Sequence, residues 1–186
     1  MRKPGKAIGI GCGISVVIGI VACFAFGFFF RRTLNESLKP VTDISRYQEI
    51  RATYWPSNMV SHFPVRLPST ASFHFHPAFL QGGAAIQARV PTSSAECASL
   101  LSSYSEHALA VYQGGDVNDH QNASNGIPTT FFYTGGTTDQ KFPRDFSVLV
   151  LSAEDHDGGF AWNHGDSSGV AISTQRQEVV FWAESW

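Results

Sequence analysis

Between Ala7 and Phe30 the chain runs for 24 residues without a charged side chain, and no other feature of the 186-residue sequence constrains its architecture as strongly. A helix built from this run would be about 36 Å long at 1.5 Å per residue. That length crosses a hydrocarbon layer of about 30 Å with some tilt. The expected organisation is a membrane anchor over residues 1–32, a juxtamembrane connector over 33–60 and one globular domain over 61–186. A domain of that size can fold around its own core.

Charge divides along the same boundary. Arg2, Lys3, Lys6, Arg31 and Arg32 give the first segment +5, leaving 8 of the 13 Lys and Arg against all 15 Asp and Glu, a net of −7 for the rest. Phosphate binding needs concentrated positive charge, so nucleic acid is excluded as an expected partner. Cys12 and Cys23 lie in the apolar run and Cys97 stands alone in the domain, which gives no disulfide framework.

Three readings compete for the N-terminus. A cleaved signal peptide usually has an apolar stretch of about 7 to 15 residues, shorter than this run. Ile20-Val21-Ala22-Cys23 resembles a bacterial lipobox, but Phe24 to Phe30 would then form an exposed apolar tail. Length favours a retained single-pass anchor, with the bilayer itself as a partner. The basic flanks, Arg2, Lys3 and Lys6 against Arg31, Arg32 and Lys39, are nearly balanced. A short tail ahead of a large domain suits a signal anchor with the domain outside the cytoplasm. Within the run, Ala7, Gly11, Ser15, Gly19, Cys23 and Gly27 recur every fourth residue and form one ridge of small side chains. Such ridges let two helix backbones approach, which makes a homodimer through the membrane helix possible, the alternative being that Gly and Ala are common in any membrane helix.

The connector is polar as far as Pro40; Thr42 or Asp43 can then cap a short helix with Ile44, Tyr47 and Ile50 on one stripe, ending at Trp55-Pro56. From Ala71 the period becomes two. Phe73 and Phe75 alternate with His74 and His76, and Ile86 and Ala88 with Gln87 and Arg89, which predicts two strands with one buried face each. Ser93 and Glu96 form a capping box for a helix whose core stripe is Cys97, Leu100, Leu101 and Tyr104. Further strands are expected at "TTFFYTG", "DFSVLVLSA", "GVAIST" and "EVVFWAES", separated by turns that include "HGDSSG". The fold class is therefore α+β, a mostly antiparallel sheet with one main packed helix.

Candidate chemistry is sparse. Gly165-Asp166-Ser167-Ser168-Gly169 fits G-x-S-x-G. A nucleophile elbow needs a helix after the serine and a histidine later in the chain, whereas His164 is the last histidine and a strand follows. A turn is the favoured reading. Cys97 sits on the core stripe rather than in a site that would activate a thiolate. His74 and His76 share a strand face about 7 Å apart, a start for a metal site, but His62, His120, Asp116 and Asp119 offer no spacing that selects a third ligand. A calcium loop through Asp155, Asp157 and Asp166 fails because Phe160 stands where glycine is required. Asn35 and Asn122 lie in glycosylation sequons. No catalytic, cofactor-binding or metal residue is selected, and no cofactor is expected.

The stretch "HFPVRLPSTASFHFHPAFLQGGAAIQARVP", the capped helix after it and the closing "GVAISTQRQEVVFWAESW" together resemble bacterial envelope proteins with one N-terminal anchor and a small α+β domain. The resemblance implies architecture and no active site. The expected function is an extracytoplasmic binding or interaction module for a protein or small-molecule ligand. The alternative is a membrane-tethered hydrolase or metal-dependent enzyme using Ser167 or the His74/His76 pair.

Overall fold

The computed structural model describes residues 19–21, 23–32, 39–78, 83–115, 127–135, 141–156 and 164–186. The chain divides into two compact units, Met1–Lys39 and Pro40–Trp186.

In the first unit, residues 19–21 and 23–32 are helical (α1), and the phenylalanines of this helix are exposed, Phe24 at 76%. Among the described residues no helix is long and apolar enough to cross a membrane. Residues 7–18 of the apolar run, with Gly11 and Ser15 of the ridge, lie outside them. At Gly19 and Gly27 an added Cβ would meet nothing within 4 Å, so the described part of the ridge is open.

The second unit is a six-stranded antiparallel sheet with the order β1-β2-β6-β5-β4-β3. Its strands are β1 (Ser72–His76), β2 (Ala84–Pro91), β3 (Ala110–Gln113), β4 (Ser147–Asp155), β5 (Gly165–Ser173) and β6 (Glu178–Ser185). The α+β class follows directly.

The connector belongs to this core. Asp43 accepts a hydrogen bond from Ser45 N and starts a 3-10 turn, Ile44–Arg46, that continues into α2 (Tyr47–Thr53). Tyr47 is 1% exposed, meets Phe73 edge to face at 5.4 Å and donates its hydroxyl to the Pro64 carbonyl at 2.6 Å. The compact unit thus starts at Pro40, well before residue 61.

The second packed helix is α3 (Ser94–Ser105), capped by Ser93, whose Oγ accepts from Glu96 N at 3.1 Å. The Glu96 carboxylate accepts from the Thr92 hydroxyl, so the reciprocal half of the expected box is made one residue earlier. Cys97 is fully buried on this helix, and burial pushes its thiol up from the ordinary value. An inert core residue is the result.

Two expected elements differ. "HGDSSG" is not a turn: Gly165 to Gly169 form the first half of β5, because Gly165 N and O pair with Trp186 and Ser167 stands opposite Glu184 and Ala153. "TTFFYTG" is not a strand. Residues 129–135 cross the sheet as irregular backbone, while the short edge strand β3, which lacks a clean alternation in sequence, pairs with β4.

Both sheet faces are covered. On one, Phe73, Phe75, Ile86, Leu149, Val170 and Phe181 pack against residues of α2, α3 and the 55–63 segment. On the other, Val148, Ala171 and Val180 pack against Phe132, Phe142 and Phe146. The Phe142–Phe146 segment is pinned by Asp145, which accepts from Ser173 Oγ at 2.6 Å and Arg176 Nε at 2.8 Å. Burial alone would raise the Asp145 carboxyl, and these two donors hold it below its ordinary value.

Candidate functional site

Period-two geometry sends His74 of β1, Gln87 of β2, Trp182 and Glu184 of β6 and Ser167 of β5 to the second face. This polar row would be costly to bury unpaired, and residues 129–134 supply partners. Gln87 Nε2 donates to Phe131 O at 2.8 Å, and its Oε1 accepts from Thr134 N and Thr134 Oγ1, each at 2.8 Å. Glu184 is fully buried, and its carboxylate accepts from the Thr130 hydroxyl and from Trp186 Nε1 at 3.0 Å.

Ser167 is 1% exposed, and its Oγ has no hydrogen-bond partner among the described residues. It lies three strands from His74 in the β1-β2-β6-β5 order, or about 14 Å at 4.8 Å per strand. Ser167 and His74 therefore do not form a nucleophile–base pair. The G-x-S-x-G glycine has a packing reason instead. Gly169 lies beside the β-bulge between Val150 and Ser152, under the Trp182 ring.

Strands with one buried face each would leave His74 in solvent, and the structure covers it instead. It is half-buried and stacked on Tyr133 with centroids 4.8 Å apart and planes 11° apart. Burial, with a smaller contribution from neighbouring His76, depresses its pKa to about 4. Among the described residues no group of three His, Cys, Asp or Glu is arranged to hold a metal ion. His62 lies on the opposite face from His74, its ring 4.9 Å from Phe63. Asp116, Asp119, His120, Asp157, Asn35 and Asn122 lie outside the described residues. Asp166 pairs with His156 at 3.5 Å.

The open feature of this face is a cleft of about 430 Å³ at the β1 edge, lined by Thr42, Ser72, His74, Arg89, Tyr133 and Thr134 among others. Arg89 donates to Ser72 Oγ at 3.3 Å and stands 4.0 Å from Glu178 Oε1. Its guanidinium lies 6.0 Å from the Phe132 ring centroid. Sequence reasoning missed the cleft because its wall, Tyr133 and Thr134, reads as a strand. The available signal was Gln87, a long polar side chain facing a segment rich in Thr and aromatic residues.

His62 yields a pH prediction. Its Nε2–H donates to Gly169 O at 2.9 Å, and burial outweighs that bond to depress its pKa to about 4. The unfolded chain takes up this proton near pH 6.5. Stability is thus intact above that pH and falls as pH drops from about 6.5 to 4, by roughly 3 kcal/mol for His62. Chemical denaturation across this range is expected to show the loss, and His62→Gln to reduce it by the His62 share while His74, depressed alike, keeps its own; an unchanged slope in the variant would assign the acid sensitivity elsewhere.

Comparison with protein-family models, with curated proteins and with solved structures gives no match.

Proposed function

We propose that the chain is a single-pass membrane protein of the cell envelope whose acidic α+β domain is a binding module held outside the cytoplasm. The observation that carries the binding role is the β1-edge cleft, which offers a cation, hydroxyls and an aromatic wall at one opening. Support for the anchor comes from the charge-free run Ala7–Phe30 and from the exposed phenylalanines of α1, an apolar surface that water disfavours. The small-residue ridge through Gly11, Ser15, Gly19, Cys23 and Gly27 is the proposed contact between two such anchors.

The rival, a tethered hydrolase or metal enzyme, would have to recruit a buried Ser167 far from His74, or add ligands to His74 and His76 from residues outside those described. Paired C-terminal fusions test the placement. A phosphatase reporter, which folds only outside the cytoplasm, is expected to be active and a fluorescent protein dark; the reverse pattern would put the domain inside.

A further inference from the structure

Val41 and Phe75 exchange both backbone hydrogen bonds across the outer edge of β1, at 2.8 and 2.9 Å. In an antiparallel ladder, alternate residues direct N–H and C=O to the same side. Phe73, two residues back, therefore turns its own N–H and C=O outward as well. The chain that could have paired with it leaves the edge at Asp43, whose carbonyl is taken by Arg46 N at 3.1 Å and whose carboxylate by Ser45 N at 2.9 Å. The outward groups of Phe73 have no hydrogen bond among the described residues, and Phe73 lines the cleft.

One residue away, Arg89 donates to Ser72 Oγ and forms a long ion pair with Glu178 at 4.0 Å, so its remaining donors make no hydrogen bond among the described residues. Arg89 is also the one charged side chain lining the cleft among the described residues. An edge strand with an unfilled backbone pair accepts an extended peptide. A guanidinium fork matches a carboxylate bidentately, and a ligand carboxylate would compete here with the long Glu178 ion pair.

We propose that the cleft binds the carboxylate end of an extended peptide, which pairs its backbone with Phe73 and its terminal carboxylate with Arg89, against the His74–Tyr133 wall. This rests on the binding-module reading and names its ligand class.

The test uses the full chain, ¹⁵N-labelled in detergent micelles. The probes are a pool of random tetrapeptides with free C-termini, the same pool amidated, and sodium acetate. Saturable shifts of the Phe73 amide and the Arg89 Nε–H are expected with the free pool, at least tenfold weaker with the amidated pool and in Arg89→Gln. Equal response to the amidated pool, or no movement of Phe73, would overturn the proposal, as would acetate alone reproducing every shift. The amidated arm needs no variant, so a folding defect in Arg89→Gln does not blunt it. Failure here leaves the membrane-held module standing, because the reporter fusions read that separately.

Discussion

Gly169→Ala is expected to lower the melting temperature of the domain by about 10 °C or more. An added Cβ would fall inside the contact shell of the Leu149 carbonyl oxygen and 2.8 Å from Trp182 Cζ2. Neither neighbour can yield. Leu149 is backbone in β4 next to the bulge, and Trp182 is fully buried on β6. Overpacking against such surroundings costs about 3 kcal/mol or more, a large share of the roughly 5–15 kcal/mol that holds a domain folded. Thermal unfolding followed by near-ultraviolet circular dichroism reads the effect through Trp182. Gly27→Ala, where nothing lies within 4 Å of the new atom, serves as the control and is expected to melt with the native protein. If Gly169→Ala also melted with the native protein, the close packing of β4, β5 and β6 at this glycine would be wrong.

Gln87→Leu is the second large effect. The leucine is apolar, shorter and branched at Cγ, and it loses the three hydrogen bonds to Phe131 and Thr134. It leaves Thr134 N facing an apolar side chain while Phe131 O keeps the Thr130 hydroxyl at 3.2 Å, and an unsatisfied buried group costs about 1–3 kcal/mol. A total loss of about 3 kcal/mol is expected, with a specific consequence for the cleft. Tyr133, no longer held by its neighbour Thr134, releases His74, so residues 129–135 should lose amide-exchange protection before the strands do. Simultaneous exchange of both regions would mean that Gln87 supports the whole sheet rather than the cleft wall.

These two residues also mark what the sequence reveals. The capped helix at Ser93, the β1 and β2 alternation and the closing strand "EVVFWAES" are legible because local chemistry and period agree with the tertiary fold. Position 169 reads as part of a turn because Gly, Asp and Ser are turn residues wherever they cluster. The strand there depends on the pairing of Gly165 with Trp186, a contact 21 residues away in sequence. "TTFFYTG" has strand composition yet pairs with no named strand among the described residues, and the Gln87 and Glu184 side chains bind its Phe131, Thr134 and Thr130 polar groups. Composition cannot distinguish a ladder from a side-chain cradle. The second buried face was foreshadowed only by the continuous runs "SVLVLSA" and "VVFW", which carry too many apolar residues for a sheet with one face in water.

The cleft was hidden for the same reason. Arg89 and His74 read as solvent-facing positions of half-exposed strands, and only the fold brings Tyr133 over them and takes the chain off the β1 edge at Asp43. Burial of His62 and His74 then follows from coverage that no local pattern encodes.

The most direct measurement of the central claim is the intact mass of the native protein in carbonate-washed membranes, recovered through a C-terminal tag. Retention in the pellet at the full-length chain mass of 20.3 kDa plus the tag is the expected result. A soluble product beginning past Arg32 would contradict the anchored module.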